Sequence, residues 1–580
     1  MQHPEQILDE RFRAALISAF GDACADTDPL IRPAANPDFG DYQANVAMGL
    51  AGTLKQAPRQ IAEKIVETVD LDDLGGEMDV AGPGFINITL GTGTLAEAVK
   101  GLGGDLDAAL KASGESQTVV LDYSGPNVAK EMHVGHLRST VIGDSIGRVL
   151  EAIGHTVIRQ NHLGDWGTQF GMLTEYLLEE GLADGDVEIP DLNALYQAAK
   201  RKFDADEDFA RRSRERVVAL QAGDEATLKL WQTLIDVSRD HFNAVYQRLD
   251  VRLSDDDVRG ESFYNDRLKP VVDGLEEAGL LEESRGAAVV FPEGFEDREG
   301  EPLPMIVRKS DGGYLYATTD LAAARFRIDE LDADRLIYVT DARQGQHFQM
   351  VFKTLRDAGW ADAGVRLDHV PFGTVLGEDR KPFKTRSGEV VKLVDLLDEA
   401  ERRAEEILQE KGTDLDDEER EQVAHAVGIG ALKYADLSSD RIKDYVFDWS
   451  RMLAFDGNTA PYLQNAVVRI HAIFRKAERS MDSVDPVALS INQPAERQLA
   501  LAVLQFGPTV RALAETLEPH RLCTCLYEIA GAYHQFYEKC PVIKAESDEI
   551  RESRLALSAL VAEVLECGLD LLGIETVSRM

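Results

Sequence analysis

Apolar and polar residues change their period several times along the chain, and each change marks an element. Thr118-Val-Val-Leu-Asp-Tyr123 is a short apolar run of the kind that forms a buried strand. Ser124-Gly-Pro-Asn127 is turn chemistry. Beyond it, Leu137, Val141, Ile142, Ile146, Val149, Leu150 and Ile153 repeat at helical spacing, and Gly154 suits the stop. Thr156-Val-Ile-Arg-Gln160 resumes a strand. Strand, helix and strand predict a βαβ unit, the start of a parallel doubly wound sheet.

The rest of the pattern arranges itself around this unit. Residues 1–112 mix helical periods with a punctuated patch, Asn36-Pro-Asp-Phe-Gly-Asp-Tyr-Gln43, and a turn-then-strand stretch, Ala81–Leu90, which predicts a small α+β module. The polar run Lys111–Gln117 reads as a connector. A Rossmann-like domain is expected over residues 113–395, interrupted by a helical, charge-laced insertion at about 175–300. Further strand-like runs follow the insertion at Pro304–Arg308, Leu336–Thr340 and His369–Pro371. A helical connecting segment at 396–455 and an all-α bundle at 456–580 complete the expected order. The length of 580 residues suits ~3–5 domains.

Composition narrows the class. Hydrophobic residues make up 44% and charged residues 28%, the balance of a chain with a substantial core. The N-terminus lacks a basic segment followed by an apolar run, so no secretory signal is expected. Leu555–Gly573 is the most apolar C-terminal stretch, but Glu563, Glu566 and Asp570 break it, which predicts a buried-face helix and no membrane span. Five cysteines, an odd and sparse set, do not make a disulfide framework and favour a reducing, cytoplasmic setting. Cys523-Thr-Cys525 lacks a partner motif for metal and reads as two small helix residues.

Net charge is −41, which taken alone argues against a nucleic-acid partner. Its distribution changes the picture. Residues 441–480 hold seven Lys/Arg against four Asp/Glu, a net of +3 inside an acidic chain. The acid excess elsewhere keeps the protein soluble and predicts tolerance of a salt-rich cytosol, tested by activity across potassium concentrations.

Candidate chemistry centres on Pro126-Asn-Val-Ala-Lys-Glu-Met-His-Val-Gly-His136, at the opening of the predicted helix. Unpaired N–H groups and the positive dipole end make such an opening an anion site. Gly135 is expected to let a bulky ligand approach the backbone. His133 and His136, three apart, can share a face and donate to phosphate oxygens where charge grows in a transition state. The competing reading is a pair of capping or surface histidines; the surrounding strand, turn and helix weigh against it.

His133-Val-Gly-His136 resembles the HIGH signature of class I aminoacyl-tRNA synthetases, and the longer Asp122–Thr140 string resembles its arginyl version. The likeness continues through Gly164-Asp-Trp-Gly-Thr-Gln169, Tyr314–Asp320, Asp341–Gln344, Tyr434–Ser438, Asn465–Arg469 and Leu572–Glu575, nearly the whole chain. It departs at the KMSK signature, where Lys381-Pro-Phe-Lys-Thr-Arg-Ser-Gly388 stands and Thr385 takes the second-lysine slot.

The resemblance implies arginine activation by ATP and transfer to tRNA(Arg), with Mg²⁺ accompanying ATP and no protein-bound metal or organic cofactor. It implies catalytic roles for His133, His136 and Lys130, the last standing in for the missing lysine, and ATP contacts from His133, Gly135, His136, Lys381 and Lys384. It assigns arginine to Asp122, Asn127, Tyr316, Asp320 and Gln344. Asn36, Phe39 and Gln43 would meet the tRNA elbow; Tyr462 and Arg469, with Phe474 and Arg475, would meet the anticodon. A requirement for tRNA before efficient activation and a monomeric state are also implied. Carboxylates suit arginine because a guanidinium is a planar fork of donors. Alone, Asp122 would read as a turn initiator and Asp320 as a helix N-cap. Another nucleotidyl transferase with the same core, or a silent RNA-binding paralogue, are the rival readings. The chain's length and its intact His133, His136, Lys130 and Asp122 oppose them.

Overall fold

The computed structural model describes residues 3–111, 114–181, 192–384, 391–413 and 415–580. Part of the expected connector (112 and 113), part of the expected insertion (182–191) and Thr385–Gly388 of the degenerate second signature lie outside the described residues.

At the centre is a four-stranded parallel sheet in the order Arg366–Phe372, Arg335–Asp341, Thr118–Asp122, Thr156–Gln160. The predicted βαβ unit forms, with helix Val134–Ala152 crossing between Thr118–Asp122 and Thr156–Gln160. Its apolar stripe packs into the main core. The polar face is buried as well, which the amphipathic period does not foretell: Arg138, Asp144, Ser145 and Arg148 are at most 3% exposed. They are buried because later elements cover them. Arg138 pairs with Asp436 at 3.1 Å, and Arg148 reaches Asp144 at 2.8 Å and Asp570 at 2.9 Å. Ser145 donates to the carbonyl of Leu571 at 3.0 Å. Buried charges must be paired, and here the pairs tie the crossing helix to the C-terminal helices.

Met305–Arg308 does not join the parallel sheet, contrary to the run of strands expected there. It pairs antiparallel with Ala287–Val290, which pairs with Glu282–Ser284, in a separate three-stranded sheet. Its alternating buried and exposed residues are those of a strand covered on one face. The strands Glu282–Ser284 and Ala287–Val290 fall inside the stretch read as helical insertion; their short runs carry no period long enough to see. Helices Leu192–Ala205, Glu207–Gln221, Glu225–Arg248 and Asn265–Glu277 also lie in that stretch.

Residues 31–89 supply a four-stranded antiparallel sheet, ordered Ile31–Pro33, Tyr42–Ala44, Phe85–Thr89, Glu77–Ala81, with helices Pro4–Phe20, Val46–Leu54 and Pro58–Thr68. Its core is its own, from Leu8 to Leu90, whereas Leu95–Leu110 side chains pack with the main core. Among the described residues beyond 391 the elements are helical, apart from Tyr445–Val446, which pairs with Val375–Leu376. Cys523 and Cys525 are buried on helix His520–Lys539, and all five cysteines are free. Among the described residues no helix is long and apolar enough to cross a membrane.

Candidate active site at the switch point of the sheet

Thr118–Asp122 has its crossover partner on one side and Arg335–Asp341 on the other, so the loops leaving the two strands diverge. Ligands of open α/β sheets bind in the crevice this makes. A cavity of about 680 Å³ opens there, and Asp122, Asn127, His133, Gly135, His136, Tyr316, Asp320 and Gln344 all line it.

The turn after Asp122 is bent sharply. Ser124 (φ 70°) and Gly125 (φ 54°) both take the left-handed region. For Ser124 that is strained, and packing holds it: its N–H donates to Ser139 Oγ at 2.9 Å, and Ser139 donates to the Val339 carbonyl at 2.7 Å. Asn127 is laid beside Gly164, where any β-carbon would stand 2.2 Å from the Asn127 side-chain oxygen.

The histidines cap the helix and each other. His133 Nδ1 accepts the Gly135 N–H at 3.1 Å, and His136 Nδ1 accepts the His133 N–H at 3.0 Å. The Val134 N–H donates to the Val391 carbonyl at 3.1 Å. The first-turn amides expected to be unpaired are therefore already engaged, which leaves the ring N–H groups as the donors at this helix start. Burial, with His133 and Lys130 nearby, lowers His136 to about 3. Burial also lowers His133, and Lys130 adds to the effect. Both rings are neutral at pH 7, and because Nδ1 accepts in each, the hydrogen-bond pattern assigns the proton to Nε2. Gly135 lines the cavity, and a β-carbon there would meet the His133 ring at 2.9 Å, so glycine also makes room for the cap.

Carboxylates gather on the same cavity. Asp122 is not a turn initiator, since its Oδ2 accepts from Arg327 at 2.7 Å, and Arg327 is 1% exposed. Arg327 also donates to Gln160 at 2.7 Å. Asp320 lies inside helix Tyr316–Asp329 and does not cap it; the cap is Leu315, and Asp320 meets His347 Nε2 at 2.5 Å. Asp341, paired with Arg343 at 2.8 Å, lines the cavity too, and sequence reading missed a fourth acid there, Glu261. Burial, then Asp165 and Asp320, raise it to about 8. A lone glutamate in a charge-laced stretch gives no signal. Glu261 is brought in by a non-local pairing, its N–H donating to the Leu163 carbonyl at 3.0 Å. His162 and His347 also line the cavity unannounced. Tyr316 is 72% exposed at the cavity edge, and Gln344 sits in the turn Ala342–Gln344.

The predicted lysines are not cavity-lining. Lys130 lies 4.7 Å over the Tyr196 ring, close enough for its charge to act on both histidines. Lys381 and Lys384 are exposed, on the stretch where Phe383 stacks on Phe447 at 4.6 Å.

The remaining predicted residues lie elsewhere. Asn36 caps the turn Pro37–Phe39, Phe39 is 45% exposed, and Gln43 donates to Asn87 at 2.8 Å. Tyr462 faces Tyr527 at 5.5 Å, and Arg469 meets His534 at 2.7 Å. Arg469 also borders a second cavity of about 730 Å³ with Lys476, Tyr537 and Lys544. Phe474, at 3% exposure, is core.

Comparison with known proteins agrees along the whole chain. Residues 105–449 match the family described as tRNA synthetases class I (R), catalytic domain. Residues 6–90 match the arginyl tRNA synthetase N terminal domain, and 463–580 the DALR anticodon binding domain. The arginine–tRNA ligase of Thermobifida fusca is 52% identical, covering 100% of both chains, and that of Laribacter hongkongensis 50%, covering 99% of both. Arginyl-tRNA synthetase from Plasmodium falciparum superposes with TM-score 0.88 at 30% identity, and the Thermus thermophilus enzyme with 0.81 at 25%, each over 100% of both chains. With the site's geometry and these likenesses together, the chain belongs to the arginyl-tRNA synthetases, class I aminoacyl-tRNA ligases.

Proposed function

We propose that the switch-point cavity activates L-arginine with Mg-ATP and passes it to the terminal ribose of tRNA(Arg). Charging tRNA with arginine is the family's activity. The observation that carries the assignment to this cavity is its lining: four acids, Asp122, Glu261, Asp320 and Asp341, with two neutral, Nε2-protonated histidines. Acids suit a guanidinium and ring N–H donors suit phosphate oxygens. In the first step an arginine carboxylate oxygen bonds to the α-phosphorus and the bond to pyrophosphate breaks. In the second, a ribose hydroxyl takes the arginyl carbonyl, and AMP leaves with the electron pair. No side-chain nucleophile is needed; positioning and preorganised donors lower the barrier.

In this reading His133 and His136 donate to phosphate oxygens. Asp122, Glu261 and Asp320 hold the guanidinium, with Arg327 orienting the Asp122 carboxylate and His347 that of Asp320. Asn127, Tyr316 and Gln344 orient the rest of the amino acid. Lys130 acts on the histidines from beside Tyr196, while Lys381 and Lys384 approach the triphosphate from the loop. The Asn36–Gln43 turn meets the tRNA elbow and the Tyr462–Arg469 face an unpaired anticodon base, in a monomeric cytosolic protein of four parts: 1–112, 113–395, 396–455 and 456–580. Arginine-dependent pyrophosphate exchange with and without tRNA is the test. Exchange driven by another amino acid overturns the arginine assignment, and no exchange in any condition overturns the enzyme reading.

A further inference from the structure

We propose that Asp41 and Arg497 are positioning residues for tRNA, a clasp that sets the distance between the N-terminal turn carrying Phe39 and the helical bundle carrying Arg469. The inference rests on the proposed reading of those two surfaces as RNA contacts.

Asp41 follows the Asn36–Gly40 turn directly and is almost wholly buried, its side chain 3% exposed. Its Oδ1 accepts from Arg497 Nε at 2.9 Å, and its Oδ2 accepts from Arg497 Nη2, a two-pronged contact. Oδ2 also accepts the Leu90 N–H at 2.7 Å, while Arg497 Nη2 donates to the Leu90 carbonyl at 2.7 Å. One guanidinium thus grips the turn and the adjoining strand end together. A fork of this kind fixes orientation as well as distance, which a single ammonium would not. Nearby, neutral His3 donates from Nε2 to the Leu504 carbonyl at 2.8 Å, a second tie between the same two bodies.

The other side of the clasp is equally held. Arg497 lies on helix Pro494–Leu504, and the residue before it on the same helix, Glu496, is 1% exposed and pairs at 2.9 Å with Arg554 of helix Asp548–Leu571. The same short helix packs on helix His520–Lys539, which carries Tyr527, His534 and Tyr537 beside Tyr462 and Arg469. Two consecutive charges therefore splint the turn to the bundle, Glu496 inward and Arg497 outward. A rigid RNA that touches both surfaces gains its second contact at high effective concentration only while their spacing is held.

The test is steady-state charging by the full-length protein of intact tRNA(Arg) and of a transcript with its D- and T-loops shortened so that no elbow forms. Arg497→Met is expected to raise KM for intact tRNA by ~10–100-fold with kcat unchanged, and to add nothing on the elbow-less RNA. Combined with Phe39→Ala, its penalty should not multiply. Arg497→Lys, which keeps the charge and loses the fork, should fall between, with a wild-type melting temperature. If Arg497→Met does not fold, Arg497→Lys decides: equality with wild type on intact tRNA overturns the clasp. Equal penalties on both RNAs, or a loss confined to kcat, also overturn it. Failure of the wild-type protein to charge intact tRNA with arginine would remove the functional reading itself, an outcome distinct from these.

Discussion

His133 and His136 stand three residues apart at one helix start, the His136 ring accepting the His133 N–H and the His133 ring the Gly135 N–H. The acids across the same cavity share no such neighbourhood. Asp122 ends a sheet strand, Glu261 enters on a loop paired with Leu163, and Asp320 lies within a helix beyond a separate sheet. The histidine wall is a local structure, assembled as soon as its helix forms. The carboxylate wall exists only when the sheet, the insertion and helix Tyr316–Asp329 have come together, and like charges held close must then find partners or protons. Arg327 serves Asp122, His347 serves Asp320, and Glu261 takes a proton.

The sharpest break of that contrast is Asp122→Ala, which strands a buried guanidinium. It should cost about 3–5 kcal/mol of stability, read by denaturant unfolding, whereas a local site would lose little. A loss under 1 kcal/mol would mean Arg327 finds another partner. On the histidine side, His136→Ala should slow activation by ~10²–10³ in pyrophosphate exchange, the scale of one lost transition-state donor. Wild-type rates in that variant would remove His136 from the chemistry.

Glu261→Gln is expected to raise KM for arginine by ~10-fold or more, as loss of a charge-assisted bond would. Its pH dependence sharpens the point. With Glu261 at about 8 in the free protein, arginine must expel a proton at neutral pH. KM should therefore fall as pH rises toward 8, and the glutamine variant should lose this slope. The sign for stability is opposite. A carboxyl whose folded value is raised stabilises the fold below its unfolded value and loses that contribution as pH climbs through the folded one. Glu261→Gln should thus be more stable than wild type at pH 8 by about 4 kcal/mol, and equally stable at pH 4. The smallest effect is Tyr316→Phe. At 72% exposure its ring is uncovered, and losing the hydroxyl should change KM by only about 2–5-fold.

Legibility followed the same division. The βαβ unit, the helix start at His133 and the helical C-terminal third could be read because period and turn chemistry are properties of contiguous residues. Met305–Arg308 was misplaced because a strand's period does not say which sheet it joins. The first-turn amides were misjudged because occupation of a helix end depends on rotamers and on Val391, far along the chain. Glu261 left no trace, being one acid among many.

By itself, then, the order of residues determined the elements, the sites of their turns and the pairing of His133 with His136, all governed by torsions and hydrogen bonds a few residues long. Only the tertiary structure decided which acid stays charged, that Arg138 and Arg148 would be buried, and that Asp41 would meet Arg497 across 456 positions of chain. Electrostatics and desolvation depend on distance in space, and packing alone sets that distance.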